Sequence, residues 1–142
     1  MKNKPAHILL VEDDEVDVAN IKRAFSTKGL PYTLHVASTG SVALSMLKGN
    51  ILPLINPLPK IILLDLHLPD MGGLDFLRLL RSDPLLKACN VIVMTTSSTE
   101  KDILEAYDLN VAGYIIKPIQ HHSLLSIVDT LDSYWNLIEL PH

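Results

Sequence analysis

Residues 61–69 of this 142-residue chain read Ile-Ile-Leu-Leu-Asp-Leu-His-Leu-Pro. A short run of branched apolar residues that ends in an acid is typical of a strand buried on both faces. Asp65 then lies at the carboxyl end of that strand. The segment predicts one of the inner strands of a parallel sheet, because helices cover both faces of such sheets.

Similar runs recur along the chain and alternate with helical spacing. The predicted strands are His7–Val11, Tyr32–Ala37, Lys60–Asp65, Asn90–Met94 and Ala112–Ile116. Helices are predicted from the cap Asp14 to Lys28, from Thr39 to Gly49, over Leu74–Arg81, from the cap Thr99 to Leu109, and from His121 to Trp135 or Ile138. The fourth of these helices is expected to bury Ile103, Ala106 and Tyr107. Five strands alternating with five helices predict an α/β, doubly wound parallel sheet.

Composition restricts the class of protein. The chain has 12 basic and 16 acidic residues and no basic block, so nothing in its charge favours a nucleic-acid partner. The single cysteine, Cys89, fits a reducing compartment. No apolar stretch reaches the length of a membrane span. We therefore expect one cytoplasmic domain over residues 1–142, with no membrane or nucleic-acid partner.

Residues 50–59 contain three prolines, which exclude a regular helix or a central strand. The segment is too apolar for a flexible linker. It is predicted to be a surface loop that packs against the domain or contacts a partner.

Polar side chains collect at the predicted strand ends. Glu12 and Asp13 follow the first strand, Asp65 ends the third, Thr95 follows the fourth and Lys117 follows the fifth. In open parallel sheets, ligands bind at the carboxyl ends of the strands. Five matching polar groups at these ends indicate a shared site.

Carboxylates brought close together repel, and a divalent cation relieves that repulsion. Mg²⁺ prefers oxygen ligands and usually takes one or two carboxylates while keeping several waters. Asp13 and Asp65 could ligate it directly, and Glu12 could act through water. The backbone carbonyl of His67, two residues after Asp65, could add a fourth oxygen.

Asp65 is the natural nucleophile for a phosphoryl group, because carboxylates form aspartyl phosphates. Lys117 would neutralise phosphoryl oxygens, and Pro118 after it permits a cis peptide bond. The Thr95 hydroxyl could donate to the same group, with Thr96 as its competitor.

The chain resembles a response-regulator receiver domain over residues 6–133. The resemblance is carried by Val-Glu-Asp-Asp at 11–14, Leu-Asp-Leu-His-Leu-Pro at 64–69, Met-Thr-Thr at 94–96 and Lys-Pro at 117–118. It implies a flavodoxin-like fold with strand order 2-1-3-4-5 and a Mg²⁺-dependent phosphoacceptor, Asp65, served by Glu12, Asp13 and Lys117. It further implies Thr95 as a switch hydroxyl and Tyr114 as a switch aromatic.

The same resemblance implies partners. A sensor histidine kinase would phosphorylate Asp65, and similarity in residues 100–141 and in the proline segment points to a phytochrome-type kinase. Signalling would use the face formed by the fourth helix, fifth strand and fifth helix, through a homodimer or another protein. Residues 134–142 would extend the last helix, where Trp135 either completes its apolar stripe or joins a dimer. No sequence remains for an output domain, so a stand-alone regulator is expected.

Some features depart from the family or favour rivals. Gly72 replaces the usual Asp before the loop glycine, Gly73. A Mg²⁺-dependent aspartyl-phosphate phosphatase would need a second acid where His67 stands, so we expect a phosphoacceptor with at most self-catalysed phosphotransfer and autodephosphorylation, not an enzyme. A phosphorylation-independent interaction module is the other alternative. Adjacent His121 and His122 point in different directions on a helix and are expected to be solvated rather than metal ligands.

Overall fold

The computed structural model describes residues 6–49, 55 and 58–137. Five strands and five helices alternate along this part of the chain. The strands are β1 (Ala6–Val11), β2 (Tyr32–Ala37), β3 (Ile61–Leu64), β4 (Val91–Thr95) and β5 (Gly113–Ile116). The helices are α1 (Glu15–Lys28), α2 (Gly40–Lys48), α3 (Gly73–Ser82), α4 (Glu100–Asp108) and α5 (His121–Leu137).

The five strands form one sheet in the order β2-β1-β3-β4-β5, and every neighbouring pair is parallel. The predicted fold class and strand order are therefore confirmed. Strand order reverses beside β1, where Val11 pairs with Leu64 of β3. The carboxyl ends of β1 and β3 thus meet at the switch point, which is where such sheets bind ligands.

Alternation along the strands divides the core into two layers. One face of the sheet contributes Leu9, Ile62 and Val93 to a cluster with residues of α2, α3 and α4. The other face contributes Ile8, Leu10 and Leu63 to a cluster with residues of α1 and α5. Because both faces are covered, β3 is buried at all four positions, as its unbroken apolar run predicts.

Side-chain caps begin three of the helices where the sequence suggests. Asp14 accepts hydrogen bonds from the backbone of Val16 and Asp17 at the start of α1. Thr39 accepts from Val42 at the start of α2, and Thr99 accepts from Asp102 at the start of α4. These caps fix the first turns of helices that begin beside the strand ends.

The buried face of α4 differs from the prediction at one residue. Ala106 is buried in α4, but Tyr107 is 48% exposed, so the expectation that Tyr107 is buried is wrong. The next residue on a helix points about 100° away, and Ala106 already occupies the inward direction.

No helix in the described part of the chain is long and apolar enough to cross a membrane.

Several expectations lie wholly or partly outside the described residues. These are the conformations of 50–54 and 56–57, the tail at 138–142, and the side chain of Trp135. Within the proline segment, Ile55 is buried in the core cluster beneath α2 and α3. This contact agrees with the prediction that the segment packs against the domain.

Candidate functional site

Backbone pairing between strands brings the predicted site residues to one edge of the sheet. The backbone N–H of Asp65 donates to the carbonyl of Val11 at 3.0 Å, which places Asp65 beside Glu12. On the other side, the N–H of Lys117 donates to the carbonyl of Thr95 at 2.8 Å. The sheet register therefore aligns these four residues, as expected for the ends of parallel strands.

Three acids form the centre of the site. Glu12, Asp13 and Asp65 each offer a carboxylate oxygen, and these oxygens lie within 4.8 Å of one another. Glu12 and Asp65 are buried, whereas Asp13 is exposed. Hard oxygen donors at this spacing, with one open to solvent, fit a divalent cation that keeps part of its water shell.

Lys117 lies between the acids, and its side chain is only 9% exposed. Its ammonium contacts Glu12, Asp17 at 2.6 Å and Asp65 at 3.3 Å. The Lys117–Pro118 peptide bond is cis. Helical spacing alone places Asp17 only as an acid in the first turn of α1. The sequence indication that Asp17 could reach the site is its position four residues, about one helical turn, after Asp13.

Burial and mutual repulsion shape the protonation of the acids. Burial raises the pKa of Glu12 to about 7, with Asp65 adding to the rise and Lys117 opposing it. Burial also pushes the pKa of Asp65 upward, but hydrogen bonds from Thr95 and the His67 backbone outweigh it and hold that pKa below its ordinary value. Asp65 therefore stays ionised at neutral pH.

The same contacts act on Lys117 with the opposite sign. Burial lowers the pKa of an ammonium, but the carboxylates of Asp17 and Glu12 outweigh this effect and raise the pKa of Lys117. Lys117 is therefore a permanent positive charge in the site.

Thr95 is the last residue of β4 and is fully buried, whereas Thr96 is exposed. The Thr95 hydroxyl lies near enough to the Asp65 carboxylate to lower its pKa. This placement favours Thr95 over Thr96 as the hydroxyl that faces the acid.

Tyr114 reaches the same loop from β5. Its hydroxyl donates to the carbonyl of Ser97 at 2.9 Å, and its half-buried ring packs against the core on the α2–α4 side. The N–H of Ser97 lies 3.5 Å from the Thr95 hydroxyl oxygen, and the Ser97 hydroxyl donates to Asp102 of α4 at 2.5 Å. Ser97 thus links Thr95, Tyr114 and α4, a role that sequence spacing did not reveal.

The loop between β3 and α3 is held at both ends. Near Asp65, the N–H of His67 donates to the Asp65 carboxylate at 3.1 Å, so the His67 backbone turns toward the site. Farther along, the Asp70 carboxylate accepts from the backbone of Gly40 and of Ser41, each at 2.9 Å, which ties the loop to α2. Gly72 caps α3 without any side-chain hydrogen bond.

The side chains of three histidines and of the cysteine do not belong to the acidic cluster. His121 and His122 are exposed at the start of α5, in agreement with the expectation that they are solvated. Cys89 is buried in the core cluster near α3. The side chain of His67 is exposed, and this residue meets Asp65 through its backbone N–H.

Comparison with known proteins follows this geometry. Residues 8–129 match the response regulator receiver domain. The chain is 33% identical to the response regulator Rcp1 of Synechocystis over 98% of this chain and 95% of that protein. Two solved structures are similar over nearly the whole chain. The phosphorylated cyanobacterial phytochrome response regulator RcpA has a TM-score of 0.86 at 34% identity and covers 98% of this chain and 100% of its own. The Mn²⁺-bound form of Rcp1 has a TM-score of 0.81 at 32% identity, with 97% and 100% covered. The chain therefore belongs to the response regulator receiver domain family.

Proposed function

We propose that the chain is a response regulator that accepts a phosphoryl group on Asp65. The observation that carries this proposal is the position of Asp65, an ionised and buried carboxylate that contacts Lys117 and lies beside Thr95 and two further acids. An isolated buried carboxylate would be protonated rather than nucleophilic. Here the surrounding donors keep Asp65 charged, which is the state that attacks phosphorus.

The donor would be a phosphohistidine of a sensor histidine kinase. The Asp65 carboxylate oxygen forms a bond to phosphorus while the bond from phosphorus to the histidine nitrogen breaks, and the imidazole leaves with the bonding electron pair. Lys117 offers its ammonium to the developing phosphoryl charge, and Thr95 offers its hydroxyl. A kinase of the phytochrome type is supported by the similarity to Rcp1 and RcpA.

The acidic cluster fits Mg²⁺. Asp13 and Asp65 would bind it directly, Glu12 through water and the His67 carbonyl as a backbone oxygen. When bound, the cation neutralises charge on the phosphoryl oxygens. The raised pKa of Glu12 supports a site that is short of positive charge, because burial and the Asp65 carboxylate together disfavour its ionised form.

The message would leave through the face formed by α4, β5 and α5. Once Asp65 is phosphorylated, the Thr95 hydroxyl moves toward the phosphoryl group, and its neighbour Ser97 carries the shift to Tyr114 and α4. This face already exposes apolar side chains, with Leu104 57%, Tyr107 48% and Ile116 45% exposed. A second copy of the chain or another protein would cover them.

Incubation with acetyl phosphate and Mg²⁺, followed by intact-mass measurement, tests the proposal. The wild-type chain should gain one phosphoryl group, and Asp65→Asn should gain none. Asp75→Asn is the matched control, because Asp75 is an exposed carboxylate on α3 that pairs with Arg78 away from the site. Labelling of Asp65→Asn to the wild-type extent would contradict the proposal. An unlabelled wild type that also binds no Mg²⁺ would favour a phosphorylation-independent interaction module.

A further inference from the structure

Lys117 has two anchors that do not depend on the phosphoacceptor. An ammonium carries three N–H donors, and here the three acceptors are Glu12, Asp17 and Asp65. The contact to Asp65, at 3.3 Å, is longer than the 2.6 Å contact to Asp17. The donor that points to Asp65 is therefore the most loosely held.

A phosphoryl group added to Asp65 would replace that loose acceptor. Its oxygens extend beyond the Asp65 carboxylate, and the third N–H donor of Lys117 can bind one of these oxygens. The other two N–H donors of Lys117 stay bound to Glu12 and Asp17. The contacts of Lys117 with Glu12 and Asp17 are therefore kept. The ammonium is thus held in place before the phosphoryl group arrives, which is what preorganised charge stabilisation requires.

Asp17 is itself fixed in position. It lies in the first turn of α1, and its N–H donates to the Asp14 carboxylate at 3.0 Å. Its side chain is 32% exposed, whereas that of Glu12 is 2% exposed. The ammonium is therefore held by one partly exposed and one buried carboxylate.

Without Asp17, the Lys117 side chain could adopt another conformation. A cavity of about 30 Å³ lies next to its side chain, large enough for one water. Its lining is formed by Asp17, Asn20, Ile21, Met94, Lys117, Ile119 and Leu124. An ammonium released from Asp17 can turn toward this space and the Asn20 amide, away from the phosphoacceptor.

We propose that Asp17 is a positioning residue for phosphorylation, which holds the Lys117 ammonium where the phosphoryl group on Asp65 will need it. This inference rests on the proposed function. It adds a fourth carboxylate whose task is to orient the lysine rather than to bind the cation.

The test is the affinity for beryllofluoride, a phosphoryl analogue, measured by calorimetry at saturating Mg²⁺. Asp17→Asn should bind it roughly three- to tenfold more weakly than Asp14→Asn. Asp14→Asn is the matched control, because it removes one negative charge from the same turn, asparagine caps as well as aspartate, and Asp14 is not among the acceptors of Lys117. Asp17→Glu keeps the charge and should bind with intermediate affinity.

Labelling kinetics supply a second measurement. With acetyl phosphate, Asp17→Asn should lower the rate at saturating donor and change the half-saturating donor concentration little, because the lysine acts on the phosphoryl group in transit. Urea unfolding would show whether each variant is folded.

Failure of the inference about Asp17 and failure of the proposed function give different results. Asp17→Asn that binds beryllofluoride as tightly as Asp14→Asn overturns the inference, as does an unfolded Asp17→Asn together with an Asp17→Glu that matches the wild type. A wild type that does not bind beryllofluoride contradicts the proposed function itself. Weak binding by Asp17→Asn in a folded protein supports both.

Discussion

Replacing Gly73 by alanine should damage the site through the backbone that carries Asp65. A Cβ at position 73 would lie 2.5 Å from the Cα of Leu66 and 2.7 Å from the carbonyl oxygen of Asp65. Both are backbone atoms, so the clash cannot be relieved by turning a side chain. The N–H of Gly73 also donates to the Leu66 carbonyl at 2.9 Å, which holds the two segments together.

The size of the effect follows from two opposing contributions. Forcing a methyl group into such a contact costs about 1–3 kcal/mol. Alanine is favoured over glycine within a helix by up to about 1 kcal/mol, and Gly73 is the first residue of α3. The free energy of unfolding should therefore fall by up to about 3 kcal/mol. Displacement of the Asp65 carbonyl and of Leu66 should also weaken Mg²⁺ and beryllofluoride binding.

Gly72→Ser is the matched control. A Cβ at position 72 meets nothing closer than an Asp75 carboxylate oxygen at 3.5 Å, and serine is a good residue for the cap position that Gly72 occupies. Urea unfolding and calorimetric titration with Mg²⁺ and beryllofluoride should be run on both variants. If Gly73→Ala matches Gly72→Ser in stability and in affinity, the argument from close backbone approach is refuted.

Two further predictions concern the scaffold around the site. The hydrogen bonds from Ser41 lower the pKa of Asp70 to about 2, so its stabilising contribution is present above an unfolded-state pKa near 4 and is lost as the pH falls toward 2. Because Asp70 is exposed, we expect this contribution to be less than about 1 kcal/mol. The difference in unfolding free energy between wild type and Asp70→Asn should be constant above about pH 5 and should shrink toward pH 2. A difference that grows on acidification would contradict this. The Arg81 guanidinium donates to four backbone carbonyls, those of Leu109, Lys87, Cys89 and Asn110. Arg81→Met should lower the free energy of unfolding by about 2 kcal/mol, and Arg81→Lys by nearly as much because a compact ammonium cannot reach all four; a lysine variant as stable as wild type would be evidence against this reading.

Much of the site was predictable because strand ends are strongly constrained. A buried apolar run such as Ile61–Leu64 has one direction along the sheet, and its carboxyl end must open at the edge where the other strands also end. Asp65, Glu12 and Lys117 could therefore be brought together from sequence order alone. Register from the fourth strand likewise favoured Thr95 over Thr96, although the strand was predicted to end at Met94 and in the structure includes Thr95.

Side-chain contacts made by helices and loops were harder to foresee. Asp17 is one of several acids at the start of α1, and helix-dipole preference explains all of them equally well. Its contact with Lys117 depends on the angle at which α1 leaves β1, which the sequence does not encode locally. Likewise, Ser97 meets Thr95 and Tyr114 through its backbone N–H and carbonyl, which any residue type would supply, and only its contact with Asp102 uses the serine hydroxyl.

Charge balance explains why a site of this kind should depend on a divalent cation. Asp17 and Asp65 contact the one ammonium, Asp13 lies within 4.8 Å of Asp65, and burial together with the Asp65 carboxylate raises the pKa of the fourth acid, Glu12, to about 7. A phosphoryl group brings further negative charge to the same few ångströms, where low solvent exposure strengthens the repulsion. One lysine cannot offset it. If Asp65 accepts a phosphoryl group as proposed, the reaction would therefore need additional positive charge among the acids, and the exposed carboxylate of Asp13 leaves the route for that charge open to solvent.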